Sequence, residues 1–268
     1  MIKKCIKADQ ERIISYIGSD YPSCLYLYLD LQKYGIESDV VSVYLQTKDD
    51  EIEALLLQYY SCLHVYSRSN AFDADELAIF FCNYDFTMLY CAANTAELVY
   101  LALPQEVKTK ATITRGWVAQ IKQVDREPRG LAVTAEKRDF DQIVRLIYND
   151  EDIGRSYKFE ELTRQLEERN HQRYARNLVI REKEQVIAHA CTNAEFNDIA
   201  VVAELLVKKE YRRKGYASEI WRTICSQLLA EGKKVFSFYY SDESRMLHKH
   251  IGFYEVCEWA KVVVSRGA

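Results

Sequence analysis

Read from the N-terminus, apolar residues alternate between strand and helix periods, and each change of period marks an element. Ile2 to Ile6 reads as a short strand, and Ile13, Ile14 and Ile17 then fall at helical spacing. Tyr21 to Tyr34 predicts a second helix, with Pro22 suited to its first turn and Gly35 to its end. Asp39 to Leu45 and Ala54 to Tyr66 read as two strands joined by a hairpin through Lys48-Asp49-Asp50-Glu51. A helix at Ala74 to Cys82, a strand at Phe86 to Ala92, a helix at Thr95 to Leu103 and a strand at Ala111 to Lys122 follow. The polar stretch Gln123 to Arg129, which contains Pro128, reads as a connector.

The second half opens as the first does. After a strand at Leu131 to Thr134, a helix places Ile143, Val144, Ile147 and Asp150 where the first half has Ile13, Ile14, Ile17 and Asp20. A further helix carries Phe159, Leu162 and Leu166, and strands around Leu178 and Val186 flank Arg181 to Gln185 as the earlier hairpin flanks Lys48 to Glu51. The pattern is two copies of one α/β unit. From Val201 the chain reads VVAELLVKKEYRRKGYA, an apolar strand running into a basic turn. An amphipathic helix from Ser218 to Ala230 follows, with Ile220, Trp221, Ile224, Leu228 and Leu229 on its apolar side and Gly232 past its end. A strand at Lys234 to Tyr240, a short helix at Asp242 to His250 and a last strand opened by Gly252-Phe253 complete the chain.

Composition narrows the function classes. A chain of 268 residues, 49% hydrophobic, can build one large or two ordinary cores. A net charge of −4 and a pI near 5.8 argue against nucleic acid as a general partner. No apolar run reaches bilayer length, and MIKKCIKADQERI at the start lacks a signal-peptide core and cleavage site, so a cytoplasmic protein without membrane attachment is expected. The eight cysteines are scattered with no Cys-x-x-Cys pair, as expected of free thiols in a reducing compartment. Five dispersed histidines give a metal site no support.

The chemistry concentrates at residues 201–217. A strand that feeds a glycine turn at a helix start leaves backbone N–H groups without intrahelical partners, beside the positive end of the helix dipole. Gly215 lets a ligand approach the backbone, and Arg212, Arg213 and Lys214 add positive charge. Together these make a diphosphate cradle. Between Tyr66 and Asp85 the first half offers no glycine and little positive charge, so its own cradle is absent.

With Tyr-Arg-x-Lys-Gly-Tyr-Ala at 211–217 and Lys-x-Ile-Gly-Phe at 249–253, the run from Leu131 to Val264 resembles the GNAT acetyltransferase superfamily. The whole chain looks like bacterial two-domain members whose N-terminal half is degenerate. The resemblance implies an α/β fold of mixed α+β sheet, with two GNAT-like domains in tandem, each a mostly antiparallel central sheet flanked by helices. The expected boundaries are 1–126 and 127–268. It implies acetyl-CoA as cosubstrate, no metal, and a small-molecule or peptide amine as acceptor, with a homodimer left open. Backbone groups of Leu205, Leu206 and Val207 would bind the pantetheine arm. Arg212, Arg213, Lys214, Gly215, Tyr216, Ala217 and Ser218 would bind the pyrophosphate. Ser241 and Ser244, standing where the family has Asn and Ala, join the cofactor set.

Acetyl transfer to an amine needs a held thioester, a polarised carbonyl, a deprotonated nitrogen and a stabilised sulfur. Family members commonly carry Tyr four residues before the late glycine, and here that position is His248. His248 either protonates the departing sulfur or packs and hydrogen-bonds in the tyrosine's place. Glu204, on the strand that would hold the pantetheine, is the candidate general base or a pocket-lining carboxylate. Strict alternation puts Glu204 and Leu206 on one face, and Ala203, Leu205 and Val207 on the other. Tyr174, Tyr239 and Tyr240 are further candidates for the cleft. The expectation is an N-acetyltransferase acting by direct transfer. A non-catalytic acyl-CoA-binding protein is the alternative, and a purely structural or partner-binding α/β protein a second one.

Overall fold

The computed structural model describes residues 1–84, 86–151, 159–172 and 174–265. The chain divides into two compact units: Met1–Val118 with Glu255–Ala268, and Ala119–Tyr254. Among the described residues no helix is long and apolar enough to cross a membrane.

The first unit holds β1 (Ile2–Lys4), α1 (Gln10–Ile17), α2 (Leu25–Tyr34), β2 (Val41–Lys48), β3 (Glu51–Tyr59), β4 (Cys62–Tyr66), α3 (Ala74–Asn83), β5 (Met88–Ala92), α4 (Ala93–Ala102), α5 (Gln105–Lys108) and most of β6 (Ala111–Ile121). Its strands run in the order β1-β2-β3-β4-β5, antiparallel until the parallel pair β4–β5. Ile13 and Ile17 of α1 and Leu27 and Leu31 of α2 are buried against Val43, Leu55 and Leu57 of the sheet, and α3 and α4 close a second core around Leu63 and Val65.

The second unit holds the end of β6, β7 (Val133–Thr134), α6 (Phe140–Tyr148), α7 (Phe159–His171), β8 (Asn177–Glu182), β9 (Gln185–Phe196), β10 (Ile199–Val207), α8 (Tyr216–Ala230), β11 (Lys234–Tyr239) and α9 (Asp242–Ile251). Its strands β7-β8-β9-β10 are antiparallel, and β10–β11 is parallel. The last strand, β12 (Tyr254–Val264), lies in the first unit from Glu255 onward, where Trp259 to Val263 pair antiparallel with Ala92 to Met88 of β5. Each unit therefore repeats one order of elements: two helices, three antiparallel strands, a helix and a parallel strand. Both open on the same device. Asp9 accepts the backbone N–H of Ile6 at 2.9 Å, and Asp139 accepts that of Glu136 at 2.6 Å.

Several elements depart from the sequence reading. Ala54 to Tyr66 is two strands rather than one, because Tyr60 turns the chain in a left-handed conformation (φ 51°) with no glycine to announce it. Residues Gly18–Cys24 form a 3-10 segment containing Pro22, so α2 starts at Leu25, four residues later than expected. The Asp49-Asp50 hairpin is as predicted, with both residues at positive φ and Lys48 paired to Glu51.

The polar stretch 123–129 is tied down within the second unit. Asp125 makes a two-point ion pair with Arg222 of α8 (2.6 and 3.0 Å), and Arg222 is only 1% exposed. The N–H of Asp125 also donates to Ile251 O at 2.8 Å. A β-carbon on Gly252 would stand 2.6 Å from Gln123 O, which explains the glycine at that position, where φ is 120°.

Candidate active site

In the second unit β10 and β11 are paired only from Ile199–Lys234 to Val202–Ser237. Beyond Val202, β10 keeps β9 as its one ladder partner. The edge of residues 203–207 that would face β11 is thus left without ladder bonds, an opening between two parallel strands at their C-terminal ends. Ligands of open α/β sheets bind at such ends.

A bulge sits at the mouth of this opening. Ala203 pairs with Cys191 and Leu206 with His189, so β10 spends three steps where β9 spends two. Glu204 takes up the extra residue at φ 52°. The strict alternation expected from the sequence is therefore interrupted at Glu204, because an inserted residue resets the period-two register. The bulge turns Glu204 toward a narrow cleft lined by Leu162, Leu166 and Arg169 of α7 and by Cys191 and Asn193 of β9. Burial raises the Glu204 pKa, and the charge of Arg169 opposes that rise. The Cys191 thiol lies 3.4 Å from Glu204 Oε2 and is pushed far up, first by burial and then by the carboxylate, so it stays protonated at neutral pH.

At the end of β10 a 3-10 turn, Lys209–Tyr211, leads to the basic residues. Arg213 and Gly215 both adopt left-handed conformations (φ 59° and 83°) and swing the chain into α8. Gly215 is the N-cap of α8, and no side chain caps it. The first-turn N–H groups of Tyr216, Ala217 and Ser218 are thereby left without a side-chain cap, a geometry that suits an anion. Arg212 is turned away from this turn. Its Nε donates to Val207 O at 3.0 Å and its guanidinium lies 3.9 Å from Asp150. Lys214 lies over the Tyr211 ring, 5.0 Å from its centre. A cavity of about 720 Å³ opens beyond Val207 on the α6 side, between Arg145, Asn149 and Lys209.

His248 is 5% exposed and packs against Trp221, Tyr239 and Phe253, with ring centres 5.5, 4.6 and 5.0 Å away. Its Nδ1 lies 2.6 Å from Ser244 O and its Nε2 lies 2.9 Å from Ser237 Oγ. A carbonyl oxygen only accepts, so Nδ1 carries the proton and Nε2 accepts from the Ser237 hydroxyl. Burial lowers the His248 pKa to about 4, against a smaller upward pull from the Ser244 carbonyl. The Ser241 side chain caps α9 by accepting from Ser244 N at 3.2 Å. Tyr239 is buried and Tyr240 exposed, while Tyr174 is buried among the residues that follow α7.

The structure brings Glu204, Leu205 to Val207 and the Gly215 turn onto one continuous run of chain, and it places His248 behind β11 in a packed layer. Sequence reasoning missed Arg169, Cys191 and Asn193, which meet Glu204 only through folding and carry no motif. It also passed over Arg129, whose partner Glu219 lies 90 residues away.

The first unit has the matching strand pair but not the turn. Its residues 67–73 carry no glycine, and Asp73 caps α3 by accepting from Glu76 N at 2.9 Å. Glu76 in that first turn accepts from Ile2 N and Gln46 Nε2. Acidic side chains fill the place an anion would take.

The chain carries two α/β units with one order of elements, and the second opens its parallel strand pair toward the uncapped start of α8. The sequence model of the acetyltransferase (GNAT) family matches residues 141–255. Among solved structures, an acetyltransferase of the GNAT family from Colwellia psychrerythraea is similar over 99% of this chain and 100% of its own, with 13% identity and a TM-score of 0.61. A GCN5-related N-acetyltransferase from Sphaerobacter thermophilus is similar over 100% and 96%, with 13% identity and a TM-score of 0.64. A tandem GNAT protein from the clavulanic acid biosynthesis pathway is similar over 100% and 99%, with 10% identity and a TM-score of 0.58. At these identities the likeness is one of fold. No curated protein matches the chain in sequence. Residues 141–255 thus match a GNAT acetyltransferase domain, and the fold of the whole chain is that of two GNAT-like domains in tandem.

Proposed function

We propose that the second unit is an N-acetyltransferase that moves the acetyl group of acetyl-CoA directly to a primary amine. The observation that carries this reading is the opening of β10 from β11 after Val202–Ser237, with Glu204 at its mouth and the uncapped Gly215 turn at its end. Acetyl-CoA supplies an activated acetyl thioester. Backbone groups of Leu205 to Val207 suit the pantetheine amides, and the N–H groups from Gly215 to Ser218 suit the diphosphate. Gly215 keeps that approach open, because its missing β-carbon would otherwise stand in the ligand's path.

Glu204 is the proposed general base. A primary ammonium must lose a proton before its nitrogen attacks, and a carboxylate with a raised pKa is better matched to accept it near neutral pH. The charge of Arg169 opposes that rise by stabilising the charged form. His248 is proposed to position rather than to donate. Its single ring proton is committed to Ser244 O, and a ring with a pKa near 4 is neutral throughout the working range. Cys191, held protonated by burial, supports direct transfer over an acetyl-cysteine route.

The test is calorimetric titration of the purified chain with acetyl-CoA, followed by thiol release with a panel of primary amines. Binding together with amine-dependent thiol release is expected. Binding without release for every amine would favour a non-catalytic acyl-CoA-binding protein, and absence of binding would remove both.

A further inference from the structure

Arg129 lies in the polar stretch before β7, where nothing in the sequence marks it for a role. Its backbone N–H donates to Glu219 Oε1 at 2.7 Å, its Nε lies 3.2 Å from Glu219 Oε2, and Leu131 N–H reaches Oε1 at 3.3 Å. Glu219 is 2% exposed and stands in the first turn of α8, four residues past Gly215. A buried carboxylate there draws on the same N-terminal dipole that an incoming phosphate would use. Left unpaired, it would also repel that phosphate across a short, poorly screened distance. The Arg129 guanidinium cancels the carboxylate through its Nε edge.

The rest of that guanidinium faces the turn. Arg129 Nη2 lies 3.8 Å from the place where a β-carbon on Gly215 would stand, and the Arg129 side chain is 57% exposed. Neither Nη group has a hydrogen-bond partner among the described residues. A guanidinium anchored along one edge and bare along the other presents two N–H donors at fixed geometry, the arrangement suited to phosphate oxygens.

We propose that Arg129 is a diphosphate-binding residue of the acyl-CoA site, held there by the buried Glu219. The proposal rests on the acyl-CoA reading of the Gly215 turn and extends it to a residue outside the turn. Arg212 and Lys214 are directed at Val207 O and the Tyr211 ring, whereas Arg129 stands over Gly215.

The experiment is calorimetric titration of wild type, Arg129→Lys, Arg129→Ala and the double variant Arg129→Ala/Glu219→Gln with CoA and with dephospho-CoA, which lacks the 3′-phosphate. The double variant removes the buried charge along with its partner and keeps the question open should Arg129→Ala unfold. Wild type is expected to bind both ligands, and loss of Arg129 to weaken both by about tenfold or more, the scale of a lost charge-assisted hydrogen bond. Lysine, a point charge without the fork, should recover only part of the loss. Unchanged affinity in the folded double variant would overturn the proposal. Weakening confined to CoA, with dephospho-CoA unaffected, would overturn the diphosphate assignment. Wild type that binds neither ligand would instead refute the acyl-CoA reading, and this inference with it.

Discussion

Replacing His248 with Gln should give a stability loss that disappears in acid. At pH 7.5 the neutral ring contributes hydrogen bonds with Ser244 O and Ser237 Oγ, each worth about 0.5–1.5 kcal/mol net. It also packs against Trp221, Tyr239 and Phe253, and aromatic pairs of this kind add about 0.5–1.5 kcal/mol each. Glutamine keeps part of the bonding and little of the packing, so a loss of about 2–4 kcal/mol is expected, within the usual range for a disrupted core site. The pH dependence follows from the folded pKa near 4 against an ordinary value of 6.5. A depressed histidine pKa means that the unfolded chain binds a proton the native ring refuses. The advantage of the wild-type residue is therefore full above pH 6.5 and is lost as pH falls toward 4. At about 1.36 kcal/mol per pH unit the loss amounts to ~3 kcal/mol. Urea unfolding of both proteins at half-unit steps from pH 7.5 to 4.5, followed by tryptophan fluorescence, reads this directly. The two stability curves should converge in acid. A gap that stays constant over the range would refute the burial argument, and an alkaline limb in kcat that vanishes in the Gln variant would refute the positioning role.

Glu204→Gln should lower kcat by about 10²- to 10⁴-fold while leaving acetyl-CoA affinity within about twofold, since the proposed cofactor contacts are backbone groups. In wild type kcat/KM should rise with pH through an acid limb displaced above the ordinary carboxylate range, and a rate unaffected by the Gln substitution would end the base assignment. Gly215→Glu should abolish CoA binding, with the melting temperature lowered only by the left-handed strain of about 1–2 kcal/mol, and retained affinity would exclude the turn as the diphosphate site. Asp125→Ala should destabilise the second unit by about 3–5 kcal/mol by leaving Arg222 buried without its partner, and a loss under 1 kcal/mol in urea would show that water replaces the carboxylate.

What could be read from the chain was what local chemistry controls. The Asp49-Asp50 hairpin, the α8 stripe of Ile220, Ile224 and Leu228, and the Gly215 turn all follow from turn propensity, helical period or glycine geometry. The twofold repeat was legible because Ile13 and Ile17 answer Ile143 and Ile147 at the same helical positions, all fully buried. The turn at Tyr60 was hidden, since a left-handed tyrosine is held by the strands on either side and not by its own preference. The bulge at Glu204 was hidden for a similar reason: AELLV satisfies an unbroken strand, and only the pairing with Cys191 and His189 reveals the extra residue. The neutrality of His248 was beyond reach too, because it depends on three aromatic rings from separate elements. Arg129 and Glu219 look like ordinary surface charges until α8 brings them together.

The return of residues 255–264 to the first unit bears on how the protein is made. During synthesis β5 emerges with β4 beside it, but the strand that covers its other side follows only after the second unit has been made. For as long as some 160 further residues are being translated, Met88 to Ala92 present a bare strand edge. The first unit is thus completed only after the second has been synthesised. A ribosome stalled anywhere in the second unit would hold a chain whose unsatisfied β5 edge can pair with another copy.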